Sequence, residues 1–376
     1  MGSVAKRPDG KWRARYRDAE GQEHSKHFRR KHEAEKWVAA QTTDLQRGEY
    51  IDPKAGEITL RDWYAQWRDV QVWAVGTYAK SNQAIDSCDF AGMKIKDVRP
   101  SHVQAWVKRM DTPDAAGKKL SPGTIKNRVK MIRSAFKAAC QDAVILRDPT
   151  EKVKLPRERK AEAKMLLLTS EQVREAMDSA PPEFSAFIAV CAFAGLRLGE
   201  AAGLQVGDVD FLRGTITVAR QVQGAGTTSL RIEPPKHGSE RVVFVPRRLT
   251  DLLSQHIVEQ GVRGEAQWLF GRGEHVYNWN SAGFIWRNTR AKAGLPEAAH
   301  IHDLRHYFAS GLIASGCDVV TVQRALGHSS PSITLDIYSH LWPTAEDKTR
   351  AAANGLMAAA LGDSADQMRT NRPASQ

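Results

Sequence analysis

The stretch from His300 to His340, HIHDLRHYFASGLIASGCDVVTVQRALGHSSPSITLDIYSH, constrains this 376-residue chain more than any other. Apolar side chains at Phe308 and Leu312, then at Val319, Val320, Val322 and Leu326, recur at helical spacing. Gly316 and Gly327 break the runs, and Ser330-Pro331 pairs an N-cap residue with proline at the first helical position. The pattern predicts a short helix that begins just after His328 and carries Tyr338 about two turns in. Two histidines (His302, His328), an arginine (Arg305) and that tyrosine share this one helical region. A short helix of this kind can swing a phenol towards or away from the other polar groups.

The succession His302-Asp303-Leu304-Arg305, Leu326-Gly327-His328 and Tyr338-Ser339-His340 resembles the C-terminal half of the tyrosine recombinase (phage integrase) family, which has a His-x-x-Arg, a Leu-Gly-His and a tyrosine shortly after. The resemblance anticipates two elements upstream, and both are present. One is Ala194-Gly195-Leu196-Arg197-Leu198-Gly199-Glu200, matching the first arginine box; the other is Lys236, expected in a β-hairpin. Family-like content covers most of the chain. It implies a mainly α fold with small β-sheets (α+β). The expected domains are an arm-type DNA-binding module at 1–55, a helical core-binding domain at 56–150, a linker at 151–165, a catalytic domain at 166–345, and a C-terminal helix and tail at 346–376.

Bulk properties agree with a nucleic-acid partner without demanding one. A formal charge of +12 and a pI near 9.6 favour a polyanion, but charge alone does not separate DNA from an acidic membrane or protein. The length allows two or three domains, and 41% hydrophobic content is ordinary for globular cores. Cys88, Cys140, Cys191 and Cys317 are scattered without C-x-x-C spacing, which indicates neither a zinc site nor a disulfide framework and fits a reducing cytosol. The N-terminus lacks a signal-peptide core and no run reaches membrane-span length, so a soluble protein of the bacterial cytoplasm, without membrane partners, is expected.

In chain order, Trp12, Ala14 and Tyr16 alternate with Lys11, Arg13, Arg15 and Arg17, which predicts a strand with one apolar and one basic face. A turn at Asp18-Ala19-Glu20-Gly21, a strand around His24–Phe28 and a helix from Lys31 to Gln46 follow. A basic strand face suits DNA, although arginine is also common on solvated edge strands. After a linker at Asp52–Gly56, helical periodicity runs from Thr59 to Arg147. The helix after Ser121-Pro122 sets an apolar stripe (Ile125, Val129, Ile132, Phe136, Ala139) beside a basic one (Lys126, Lys130, Arg133, Lys137) that can track phosphates or simply face water. Residues 151–165 are charged and aperiodic, reading as a linker. Leu168-Thr169-Ser170-Glu171-Gln172 then opens a new helix with capping residues, an apolar helix (Phe184–Phe193) ends at Gly195, and strand-like runs at Thr215–Val222, Ser229–Ile232 and Val242–Val245 predict one small sheet. An alanine-rich segment after Pro343 is expected to form a helix able to dock on a neighbouring protomer, and the last dozen or so residues to be disordered.

The resemblance implies cleavage of a DNA phosphodiester. Attack on phosphorus builds charge on the non-bridging oxygens, which a pair of guanidiniums, Arg197 and Arg305, can offset; Glu200 is placed to orient a basic neighbour. Tyr338 would be the nucleophile, although most helical tyrosines are core or rim; its ordinary pKa of about 10 means it needs a positive environment or a base. Lys236, with His237 and Arg241 as competitors, would protonate the leaving 5′-oxygen. His302 would assist proton transfer at the tyrosine, His328 would bond the phosphate, and Asp303 and His306 would hold the geometry. His302 and His306, four apart, also invite a metal reading, but no H-E-x-x-H is present and Arg305 lies between them, so neither metal nor cofactor is expected.

The expected function is that of a phage-type integrase. It would work through a 3′-phosphotyrosine and a Holliday junction, as a homotetramer on double-stranded DNA with core-type and arm-type sites, aided by a DNA-bending host factor and a directionality factor. A chromosome-dimer or transposon resolvase of the same family is the alternative. A type IB topoisomerase shares the chemistry but would need no arm-binding module. A non-catalytic regulator would need no nucleophilic tyrosine.

Overall fold

Alternation at Trp12, Ala14 and Tyr16 does make a strand, and it is the middle one of three. In this computed structural model β1 (Ser3–Lys6), β2 (Trp12–Arg17) and β3 (Glu23–Phe28) form an antiparallel sheet in that order. The structure describes residues 2–361 apart from 19–20, 48–49, 53, 158–164, 225, 227–229 and 343–344. It divides into two compact units, Met1–Ala163 and Lys164–Gln376. The expected disordered tail therefore lies outside the described residues, as does part of the linker and of the Asp18–Gly21 turn.

In the first unit, α1 (Lys31–Arg47) covers the apolar face of the sheet. Ala14, Tyr16 and Ala34 are buried there, with Tyr16 stacked on His24 at 5.1 Å and edge-on to Trp37 at 5.2 Å. The register pairs Arg13 with His27, Arg15 with Ser25 and Arg17 with Glu23, so the three arginines share the other face. Strand β1 is an addition to the expected module; its signal is Pro8-Asp9-Gly10, a turn sequence whose Gly10 takes φ +80°.

Four helices follow: α2 (Leu60–Asp69), α3 (Val75–Asp86), α4 (Pro100–Met110) and α5 (Pro122–Gln141). The Ser121 hydroxyl accepts the Thr124 N–H, and Pro122 supplies the first helical residue, as the sequence predicts. Ile125, Val129, Ile132, Phe136 and Ala139 are fully buried in a core shared with α2, α3 and α4. Lys126, Lys130 and Lys137 are exposed. Arg133 differs from them: its guanidinium turns inward and donates to the Thr150 carbonyl at 2.8 Å.

The second unit opens with α6 (Ser170–Ser179), capped reciprocally by Thr169 and Gln172, and α7 (Pro182–Phe193). Helix α7 is apolar all round, and Phe184, Phe187, Ile188 and Val190 are buried on every side. It is the axis of the unit, with α6 and later helices packed about it. After α8 (Leu198–Ala202) come β4 (Val209–Asp210), β5 (Thr215–Val218), β6 (Gln221–Gln223), β7 (Arg231–Glu233) and β8 (Arg241–Phe244). Helix α9 (Arg247–Gln260), a two-strand ribbon of β9 (Gly271–Arg272) and β10 (His275–Val276), and α10 (Trp279–Lys292) follow. Then come α11 (Ile301–Ala314), α12 (Val319–Leu326), α13 (Pro331–Tyr338) and α14 (Ala345–Leu361).

Among the described residues the single expected sheet is instead two, β4-β5-β8 and β6-β7, with the β9-β10 ribbon apart from both. The run 215–222 splits because Val218 still pairs with β8 while Gln221 pairs with β7, and Arg220 between them turns in to ion-pair with Asp208. The same division corrects the hairpin placing of Lys236. Strands β7 and β8 belong to different sheets, and Pro234-Pro235, unable to donate ladder hydrogen bonds, ends the first before a tight turn at Lys236–Gly238. The antiparallel pair β6-β7 joins Gln221–Gln223 to Arg231–Glu233 and ends before Lys236.

Candidate active site

Three arginines from distant parts of the chain converge on one buried carboxylate. Arg197 stands at the N-cap of α8, where the φ +65° of Gly195 lets the chain turn sharply after α7. Glu200 sits one turn on, 1% exposed, and its Oε1 accepts the Arg197 guanidinium at 2.5 Å. Its Oε2 accepts the Arg197 backbone N–H at 3.0 Å and Arg241 of β8 at 2.8 Å, and lies 3.9 Å from Arg305 of α11. Burial pushes the Glu200 carboxyl up, but the hydrogen bond and charge of Arg241, then the charges of Arg197 and Arg305, outweigh it and hold it at about 2.

Arg305 is itself 1% exposed and donates to the carbonyls of Gly195 at 2.6 Å and Leu326 at 2.5 Å. Burial, then the charge of Arg197, pushes its guanidinium below the ordinary value, and its intrinsic basicity keeps it cationic. Arg241 also donates to the Ala325 carbonyl at 2.9 Å, while Arg197 reaches the Gly327 carbonyl at 3.3 Å. Gly327 ends α12 in the left-handed conformation, φ +64°, and a Cβ there would stand 2.8 Å from Arg241 Nη1. Any other residue there would strain the left-handed turn that presents His328 and displace the Arg241 side chain.

His328 is buried and its Nδ1 lies 2.9 Å from the Thr334 hydroxyl of α13. Desolvation, then the charges of Arg305, Arg197 and Arg241, holds its imidazole at about 4, so it is neutral near pH 7. Tyr338 ends α13, 1% exposed, with its ring parallel to that of His328 at 6.5 Å. Burial raises its phenol to about 12 against the opposing pull of Arg305 and Arg197. The Tyr338 hydroxyl lies 2.7 Å from His306 Nδ1.

Arg197, Arg305, His328 and Tyr338 of the expected set are thus brought together, with Glu200 orienting its basic neighbours. His302 stands at the mouth: its surface is open to solvent, and its ring is 4.8 Å from that of His306. Desolvation of its ring nitrogens, then the positive charges of His306, Arg305 and Arg197, lowers it to about 4. The group touching the phenol is His306, which sequence reasoning assigned to geometry alone. Lys236 is exposed on its turn, three residues before Ser239, whose hydroxyl lies 3.5 Å from Arg197. Arg241 was named only as a competitor of Lys236, yet it belongs to the cluster. Among the described residues no group of three or more His, Cys, Asp or Glu is placed to hold a metal ion, and all four cysteines are free.

The sequence matches the phage integrase family over residues 159–344 and the phage integrase N-terminal domain over residues 1–47. It is 26% identical over 258 residues to a tyrosine recombinase of Thermosipho africanus, covering 67% of this chain and 83% of that one. The fold is similar to the Tn1549 transposon integrase in complex with transposon right end DNA, with TM-score 0.67, 22% identity, and coverage of 80% of this chain and 99% of that one. It is also similar to lambda integrase, solved as a tetramer bound to a Holliday junction, with TM-score 0.57, 16% identity, and coverage of 88% and 96%. With its carboxylate-centred arginines, its phenol against a histidine, and matches at both ends of the chain, this protein belongs to the phage integrase family, the tyrosine recombinases, enzymes that cut and rejoin DNA.

Proposed function

We propose that this chain integrates and excises a mobile element by site-specific recombination, with Tyr338 as the nucleophile. The observation that carries the reading is the placement of the Tyr338 hydroxyl in the pocket that also holds Arg197, Arg305 and His328. The Tyr338 oxygen attacks the scissile phosphorus, forming a 3′-phosphotyrosine and breaking the bond to the 5′-oxygen. Arg197 and Arg305 offset the charge that grows on the non-bridging oxygens, where planar guanidiniums act best. His328 donates a hydrogen bond to the phosphate, and Lys236 supplies the proton that the 5′-oxygen takes. The phosphotyrosine keeps the energy of the broken bond, so rejoining to a partner strand requires no ATP.

Four protomers would join two duplexes through a Holliday junction, a reading supported by the lambda integrase tetramer. The basic face of Arg13, Arg15 and Arg17 would hold arm-type sites, and Lys126, Lys130 and Lys137 would hold the backbone at core-type sites. Arg133, bonded to Thr150, serves that surface by positioning the segment after α5. A DNA-bending host protein and a directionality factor complete the expected assembly.

A nicked suicide duplex carrying the element's junction tests the reading. The wild-type chain should give a covalent adduct that survives denaturing gels and disappears with proteinase. Tyr338→Phe should form none while binding the same duplex nearly as well. An adduct on the Phe variant would remove Tyr338 from the role.

A further inference from the structure

We infer that His306 is the base that takes the phenol proton of Tyr338, so that a second histidine, one helical turn beyond His302, works on the nucleophile. The inference rests on the reading of Tyr338 as that nucleophile. His306 Nδ1 and the Tyr338 oxygen are 2.7 Å apart, with the rings inclined at 67°, so a ring nitrogen rather than a ring face meets the hydroxyl. A base in hydrogen-bond contact with a weak nucleophile is the arrangement that activates it. The other imidazoles are less well placed. His302 shares the face of α11 but stands one ring further out, 4.8 Å from His306. His328 stacks flat beside the phenol, and its Nδ1 is engaged by Thr334.

The surroundings suit a proton acceptor. His306 is half-buried, and burial lowers its basicity, so the ring is neutral near pH 7 and its Nδ1 can accept. The groups that act on it are Asp303, Arg305 and His302 from its own helix and Tyr338 from α13. Asp303 favours the imidazolium that forms, and Arg305 opposes it. In the step, the Oη–H bond breaks as Oη–P forms, and the proton moves to Nδ1. The P–O5′ bond breaks, and the leaving oxygen takes its proton from Lys236. Rejoining runs the same transfers backwards.

The test compares single-turnover adduct formation by the wild-type, His306→Gln and His306→Ala chains on the suicide duplex. A matched duplex carries sulfur at the 5′-bridging position, which leaves without needing a proton. Both variants should be slower on both duplexes by about 10²-fold or more, a typical loss for a missing general base. DNA affinity should be unchanged. Lys236→Ala should be slow on the oxygen duplex and restored by sulfur. A His306→Gln chain within tenfold of wild type, or one faster than it, would overturn the inference, as would restoration by sulfur. A readout on the folded wild-type chain guards against variants that fail to fold: ¹⁵N-histidine NMR should show His306 Nδ1 as an unprotonated acceptor whose resonance moves in Tyr338→Phe. An unmoved resonance counts against the contact. An adduct on Tyr338→Phe would instead defeat the nucleophile assignment, so the two failures are distinct.

Discussion

Glu200 shows what a residue without direct chemistry can do. Three guanidiniums crowd within one pocket, and without a buried anion their mutual repulsion would oppose folding. Its folded pKa of about 2 lies below the ordinary 4.5, so its contribution is fully present above pH 4.5 and is lost as pH falls towards 2. That difference corresponds to about 3 kcal/mol at neutral pH, as an order of magnitude. Glu200→Gln should lower stability by a similar amount at pH 7 and flatten acid unfolding between those limits, read by circular dichroism at stepped pH. Unchanged acid unfolding would show that the arginines are balanced by something else. Residue by residue, Arg197, Arg305, His328 and Tyr338 were legible because each sits in a short motif. Arg241 was not: Val242 and Phe244, its outward neighbours on β8, are 52% and 81% exposed, and these apolar surface residues hide the alternation that would mark Arg241 as inward. His306 lies four residues from His302, a spacing that puts both on one helix face; weighed only as a metal pair, it was the signal that could have found the contact with Tyr338.

At the scale of elements, the site depends on how α7 ends. Gly195 turns the chain at φ +65° and aims its carbonyl at Arg305, and a Cβ there would stand 2.3 Å from the Phe308 ring of α11. Gly195→Ala must therefore strain the turn by roughly 1–2 kcal/mol and push α7 from α11. The expected result is a melting temperature lower by several degrees and adduct formation reduced at least tenfold, with DNA binding retained; wild-type cleavage rates would show that the turn tolerates the shift. Helices were easy to read because apolar stripes and caps act locally: Ser121, Thr169 and Gly327 end or begin helices where the sequence says they should. Strands were harder. Their pairing depends on partners far along the chain, so the run from Thr215 to Val222 gave no sign that it serves two sheets. Nor did it show that Lys236 lies between those sheets and not at a hairpin tip.

For the whole molecule, the net charge of +12 becomes meaningful through its distribution. The Arg13, Arg15 and Arg17 face and the Lys126, Lys130 and Lys137 stripe lie on separate elements of the first unit, each opposite an apolar face that is buried. Replacing the three arginines with alanine should flatten the dependence of log affinity on log salt by about 0.9 for each phosphate no longer neutralised. The weakening should fall on duplexes with arm-type sites and spare adduct formation on a core-type duplex. Equal weakening on both would show that the sheet is not a separate DNA reader. The shared carboxylate has one more consequence. Its arginines sit at positions 197, 241 and 305, and the phenol that completes the pocket waits until position 338. A chain still leaving the ribosome, or one cut short by a stop codon, can expose its basic surfaces to the genome while holding no blade.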